Sequence, residues 1–188
     1  MLSFRLSSNT LLKLSQGDLT AWKAPAGAIV NAANERMLGG GGVDGAIHRR
    51  AGPELLKLCY AVPEVWPEVR CPVGEARITS GETGLQVDHV IHTVGPIYMS
   101  LEESAPLLKN AYRSSLQLAN EKNIEVIAFP ALSCGVFGYP YKPAAEVAIQ
   151  TCQEHAGNLK EVHFVLFEYP AWEAWLAEAR TQLGPELS

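Results

Sequence analysis

The sequence predicts an α/β protein, a three-layer α/β/α sandwich built on a mixed, mainly parallel central sheet. Two observations carry this. Short, apolar, β-rich runs alternate with segments of helix length, the pattern of strands joined by helical crossovers. The glycine-rich segments follow strands, and open α/β sheets form their ligand crevices beyond the carboxyl ends of strands. With 188 residues, 47% hydrophobic and 19% charged, the chain has the length and composition of one globular domain, residues 1–188, with a substantial core.

Taken in order, Met1–Leu12 carries Arg5 and three serines but no apolar segment of the signal-peptide kind, so it reads as a first strand and not as a targeting peptide. Leu11–Ser15 is a short strand from which Gly17-Asp18-Leu19-Thr20 turns away. Ala28–Asn31 is a buried strand. A helix starts at Val43 and runs to Ala51, and Pro53 opens another at Glu54-Leu55-Leu56. Val62–Pro72 holds three prolines and reads as loop. Ala76–Thr79 and Val87–Val94 are strands, separated by turn residues Gly81 and Gly84. Leu107–Glu121 is an amphipathic helix whose Leu108, Ala111, Tyr112, Ser115, Leu116 and Ala119 share one face. Ile124–Phe129 is a buried strand ending at Pro130. Ala144–Glu154 is helix, Val162–Phe167 strand, and Trp172–Gln182 a last helix. Trp66, Trp172 and Trp175 read as packing residues.

A net charge of −5 argues against a broad nucleic-acid or membrane surface, and direct nucleic-acid binding is not expected. It leaves room for one phosphorylated small molecule held by backbone amides. No apolar run approaches membrane-spanning length. Cys59, Cys71, Cys134 and Cys152 form no C-x-x-C pair, and the five histidines show no ligand spacing beside them. They read as free thiols in a reducing cytoplasm, with no metal and no cofactor expected.

Two segments carry the chemistry. In Ile29–Gly45 a strand ends in Asn31 and Asn34, four consecutive glycines follow, and Asp44 stands where a helix begins. Four glycines cost backbone entropy. They suit a place where a phosphate approaches the main chain before a helix N-terminus. A pure anion trap has no use for an acid, so Asp44 points to chemistry on whatever the phosphate carries. Asp44 also suits a helix first turn on electrostatic grounds alone. The other segment, Pro130–Pro140, has Gly135 and Gly138 bracketing Val136-Phe137 between a strand and a helix. Its glycines permit amides to aim at an oxyanion, and Phe137 is either a cover for a sugar or base or a core aromatic.

Asn34, six residues, then Gly41-Gly42-Val43-Asp44, together with Gly135-Val136-Phe137-Gly138, resembles the signature of MacroD-type macrodomains. Gly17-Asp18-Leu19-Thr20, His92-Thr93-Val94-Gly95-Pro96 and Ala128-Phe129-Pro130-Ala131 resemble further segments of that family, in the same order. The likeness runs from about Leu11 to Ala179 and is nearest to the bacterial single-domain O-acetyl-ADP-ribose deacetylases. It implies a macrodomain fold and a hydrolase that releases ADP-ribose from O-acetyl-ADP-ribose or from the ester-linked acidic side chains of mono-ADP-ribosylated proteins. It also implies residue roles. Asp18 would accept the adenine amino group beside the Leu19 amide, and Phe167 would lie at the adenine edge. Gly42 and Val43 would give amides to the phosphates. Ser133, Cys134, Gly135, Val136 and Phe137 would form the second phosphate and ribose loop. Asn34 would hold the distal ribose and Asp44 would be the catalytic acid.

The residues leave several points open. Either Asp44 or a phosphate oxygen of the substrate can orient and deprotonate water. Attack is at an acyl carbon or at the anomeric carbon. Asp18 also suits the N-cap of the turn Leu19–Trp22, as an alternative to a ligand role. Asn31 is expected to bond neighbouring backbone, and His48, four residues after Asp44, to tune that acid or to pair with it structurally. Arg49 and Arg50 read as a solvated helix face. Cys134 lacks a nearby base and is not expected to act as a nucleophile. The rival to an enzyme is a non-catalytic reader of ADP-ribosylated protein, and a third option is a regulator of RNA processing acting through protein contact. Asp44 together with Asn34 and the long glycine run favours the enzyme.

Overall fold

The computed structural model describes residues 1–188. Seven strands form one sheet: β1 (Leu2–Arg5), β2 (Leu11–Gln16), β3 (Lys23–Ala32), β4 (Ala76–Ser80), β5 (Gln86–Thr93), β6 (Val126–Phe129) and β7 (Glu161–Leu166). Their spatial order is β1-β2-β7-β6-β3-β5-β4. The five inner strands run parallel, and the two edge strands, β1 and β4, run antiparallel to their neighbours. β6 and β7 are nearly continuous apolar runs because helices cover both faces of the sheet.

The helices are α1 (Gly42–Ala51), α2 (Pro53–Ala61), α3 (Leu101–Glu121), α4 (Tyr141–His155) and α5 (Tyr169–Leu183). Successive strand residues point to opposite faces. Ala28, Val30 and Ile91 therefore join the larger apolar cluster under α3, α4 and α5, while Ile29 and Val90 join the smaller one with Ile47, Leu55 and Cys59 of α1 and α2. In the larger cluster the Phe164 ring lies 5.6 Å from Phe129, 5.8 Å from Trp175 and 6.1 Å from Tyr112. All six residues expected on one face of α3 are buried. No helix is long and apolar enough to cross a membrane.

Several boundaries differ from expectation, each for an identifiable reason. The first strand does not run through to Leu12. The amides of Leu6 and Ser7 both bond to the Thr10 carbonyl, so the chain turns there and β1 pairs back on β2 as a hairpin. β3 starts five residues before Ala28, because its pairing with β5 continues past an irregularity between Ala24 and Ala28 that absorbs Pro25. α3 starts at Leu101, six residues before Leu107. Ser100 accepts from the Glu103 amide at 3.2 Å, and this N-terminal cap holds the first turns despite Pro106. Trp175 is fully buried and Trp172 packs against the core, but Trp66 is 53% exposed and does not pack.

Candidate active site

Four strands of the sheet deliver their following loops to one edge. In spatial order these are β2 with Gly17-Asp18, β7 with Phe167, β6 with Ser133–Gly138, and β3 with Asn34–Asp44. All twelve residues expected at the site line one cleft of about 710 Å³. That volume lies within the range of small-molecule sites, roughly 300–1,000 Å³.

The first glycine loop ends in a helix that no side chain caps. Gly41 stands at the N-cap and makes no side-chain bond. The Gly42, Val43 and Asp44 amides have no acceptor within the chain, the first helical bond being Gly45 to the Gly41 carbonyl at 3.2 Å. They form an electropositive helix terminus open to the cleft. At Gly40 the approach is close. A Cβ there would sit 3.1 Å from Asp44 Oδ2 and 3.3 Å from Asn34 Nδ2, filling the space between the two side chains. Across the cleft, the amides of Gly135, Val136 and Phe137 are likewise without acceptors in the chain. Ser133 (φ 63°) makes the turn that exposes them, and Tyr139 closes it by bonding to the Ser133 carbonyl at 2.9 Å. The Ser133 hydroxyl is buried without a partner. Two rows of unused amides lining one cleft are able to bind a polyanion.

Asp44 is 4% exposed. Its Oδ1 accepts from Asn31 Nδ2 at 2.8 Å, and His48 Nε2 lies 3.5 Å from the same oxygen. Oδ2 faces Gly40. Burial raises the Asp44 pKa above the ordinary carboxyl value; the Asn31 hydrogen bond and His48 offset part of that rise. Asn34 donates to the Gly39 carbonyl at 3.1 Å, which leaves its own Oδ1 buried and unpartnered. At the other end of the cleft, Asp18 Oδ1 accepts from both the amide and the hydroxyl of Thr20, each at 2.8 Å. Asp18 therefore does cap the turn Leu19–Ala21, and its Oδ2 is spare. Phe167 is 74% exposed, presenting its ring at the rim. Burial pushes the Cys134 thiol up to about 12, which keeps it protonated and a poor nucleophile. No group of His, Cys, Asp and Glu side chains converges as metal ligands would.

A family model for the macro domain matches residues 30–148, the span that holds both glycine loops. The chain belongs to the macro domain family. It is 49% identical over 164 residues to a macro domain-containing protein of Vibrio parahaemolyticus, covering 87% of this chain and 94% of that one. It is 46% identical over 164 residues to an O-acetyl-ADP-ribose deacetylase of Citrobacter rodentium, covering 85% and 90%. Among solved structures, the Oceanobacillus iheyensis macrodomain with ADP superposes with a TM-score of 0.86 at 38% identity, over 96% of this chain and 95% of that one. A Trypanosoma brucei macrodomain in complex with ADP-ribose superposes with a TM-score of 0.73 at 38% identity, over 87% and 67%.

Some residues in or beside the cleft of this macrodomain take roles that the sequence did not suggest. Asn31 does not bond neighbouring backbone as expected. Its amide nitrogen reaches Asp44 Oδ1 and also lies 3.1 Å from His92 Nδ1. The available signal was strand alternation, which puts Asn31 on the face of Ile29, under α1. Arg49 is not merely part of a solvated face, since it lines the cleft, whereas Arg50 does not. Glu168, which follows Phe167 at the end of the last strand, and Tyr141 also line the cleft, and nothing local in the sequence marks Tyr141.

Proposed function

We propose that this macrodomain, working as one domain, binds ADP-ribose and hydrolyses its esters. It releases ADP-ribose from O-acetyl-ADP-ribose, from modified acidic side chains of proteins, or from both. The observation that carries the reading is the carboxyl of Asp44. It is a buried acid beside a row of unused amides, with one oxygen held by Asn31 and the other turned toward Asn34 and the cleft. A reader module needs the amides but not the acid. The nucleotide ligands of the solved relatives and the deacetylase named among the homologues support the same reading.

In this reading the diphosphate lies between the Gly42–Asp44 and Gly135–Val136–Phe137 amides, with adenine toward Asp18 and Phe167 and the distal ribose toward Asn34. The free Oδ1 of Asn34 accepts from a ribose hydroxyl and fixes the sugar. Asp44 Oδ2 orients a water and takes its proton as the water attacks. Burial that raises the Asp44 pKa strengthens it as a base. The water oxygen bonds to the carbon under attack, the ester bond breaks, and the proton held by Asp44 passes to the leaving oxygen, giving ADP-ribose and the free acid.

Incubation with O-acetyl-ADP-ribose and with a glutamate-linked ADP-ribosyl protein, following ADP-ribose release, tests the proposal. Turnover of either supports an enzyme and identifies its substrate class. Binding of ADP-ribose without turnover of either rejects the hydrolase in favour of a reader. Running the reaction in ¹⁸O-water locates the attack: label in the released acid marks the acyl carbon, label in ADP-ribose the anomeric carbon.

A further inference from the structure

Two buried polar side chains of the sheet have no part in the chemistry described so far. His92 on β5 is 0% exposed and Thr79 on β4 is 8% exposed. Asn31 stands directly beside His92 in the β3–β5 register. Arg77 stands opposite His92 in the β4–β5 register, so Thr79, two residues on, is the diagonal neighbour of His92 on the same face. Thr79, His92 and Asn31 thus form a polar row across three strands, running to Asp44 through an otherwise apolar layer of Ile29, Val90, Leu55 and Cys59.

Hydrogen-bond roles along this row follow from its Asp44 end. An ionised carboxylate only accepts, so the Asn31 atom 2.8 Å from Asp44 Oδ1 is the amide nitrogen. The same nitrogen lies 3.1 Å from His92 Nδ1, which must then offer a lone pair. The proton of the neutral ring sits on Nε2, 2.9 Å from Thr79 Oγ1. Burial holds the His92 pKa down to about 3, so the ring is neutral throughout the physiological range. Cys59 Sγ, 3.9 Å from Nε2, is the weaker acceptor.

We propose that His92, itself oriented by Thr79, is a positioning residue that fixes the Asn31 amide so that it donates to Asp44 Oδ1 and leaves Oδ2 toward the cleft. This rests on the reading of Asp44 as the catalytic acid. Asn31 has two amide hydrogens and spends one on each neighbour. Without an acceptor at His92, the amide loses the partner that keeps its nitrogen turned toward the carboxylate. The Asn31 oxygen, buried without a partner, is the cost of holding that orientation.

The test uses His92→Leu, which removes the acceptor, His92→Asn, whose amide oxygen can stand where Nδ1 stands, and Thr79→Val. Melting curves check folding, calorimetry gives ADP-ribose affinity, and turnover is followed on O-acetyl-ADP-ribose. The expected result is a kcat at least tenfold lower for His92→Leu and severalfold lower for Thr79→Val, with KM and ADP-ribose affinity within about twofold. His92→Asn should recover most of the loss. Two NMR readouts need no turnover. The wild-type His92 ring should show the Nε2–H tautomer, and the Asp44 carboxyl should titrate higher in His92→Leu than in wild type. His48, Cys59 and His92, the titratable groups facing Asp44 from α1, α2 and β5, are followed in the same titration. If the wild type turns over neither substrate, the hydrolase reading fails, and the two NMR readouts alone decide the proposal. An Nδ1–H tautomer overturns it. So does a folded His92→Leu with wild-type kcat and an unmoved Asp44 titration. Should His92→Leu not fold, Thr79→Val and the tautomer decide between the same two outcomes.

Discussion

Asn31 and Asp44 are thirteen residues apart in the chain, on a strand and on a helix, and the Asn31 amide donates to Asp44 Oδ1 across 2.8 Å. The bond holds one carboxyl oxygen of Asp44 in the protein and leaves the other facing Gly40, which like Asp44 lines the cleft. It also stabilises the charge of an acid that burial disfavours.

Replacing Asp44 should therefore separate chemistry from binding. Asp44→Ala is expected to lower kcat on the order of 10²-fold or more, as for loss of a general base. ADP-ribose affinity should change far less. Steady-state kinetics beside calorimetry makes the comparison. Wild-type turnover in the variant would leave a substrate phosphate as the base.

The same acid should lower stability at neutral pH. Burial raises its folded pKa above the value of 3.8 for a free carboxyl. The folded state then holds the proton more tightly than the unfolded chain does. That stabilising contribution is fully present below about 3.8 and is lost as pH rises through the folded pKa. At pH 7 the charged form is a cost, and Asp44→Asn should melt above the wild type. The gain should shrink as pH falls and vanish below about pH 3.8. Thermal melts of both proteins across pH 3–8 check the sign, and a variant that melts lower at pH 7 would contradict it. A stabilising substitution that removes activity is the mark of a site that gives up stability for function.

Gly135 tests the second amide row. A Cβ at Gly135 meets no protein atom within 4 Å, and its backbone is outside the left-handed region, so Gly135→Val should fold normally. The added side chain enters the cleft that Gly135 lines. Detectable ADP-ribose binding should be lost while the melting temperature stays near that of the wild type. Near-native affinity by calorimetry would remove this loop from the site.

At the far end, Asp18 uses Oδ1 as a cap and has Oδ2 spare for an adenine amino group. Inosine diphosphate ribose puts a carbonyl there, a second acceptor facing the carboxylate. A hydrogen bond to a charged group contributes roughly 1.5–3 kcal/mol, or about 10- to 150-fold in affinity. Wild type should prefer ADP-ribose by about that factor, and Asp18→Ala should erase most of the preference. The variant also loses the cap, for about 1 kcal/mol of stability, but its turnover at saturating substrate should be nearly intact. An unchanged preference would leave Asp18 as a cap alone.

The aromatic cluster is part of the larger core. Phe164 is fully buried against Phe129, Tyr112 and Trp175. Phe164→Ala should destabilise the fold by about 3–5 kcal/mol, read from urea denaturation. A loss below about 1 kcal/mol would mean that the surrounding rings collapse into the space.

What the sequence determined by itself is what local chemistry carries. Alternation of apolar runs with helix-length segments requires layers, because each element must bury one face against another. Four glycines before an uncapped helix leave amides unused, wherever the segment lies. Starts and ends were not legible where two local signals competed, as Pro106 and the Ser100 cap do in α3, or where pairing with a distant strand decided them, as in β3. The tertiary structure decided everything that depends on which strand lies beside which. The order β2-β7-β6-β3 places Asp18 and Phe167 together at one end of the cleft and Asn34 with Asp44 at the other. The β3–β5 register sets Asn31 beside His92 and so determines what holds the acid. Asn31 and His92 are 61 positions apart in the chain. No periodicity along the chain encodes a register between distant strands, because it is set by the packing of whole faces and exists only once the sheet has formed.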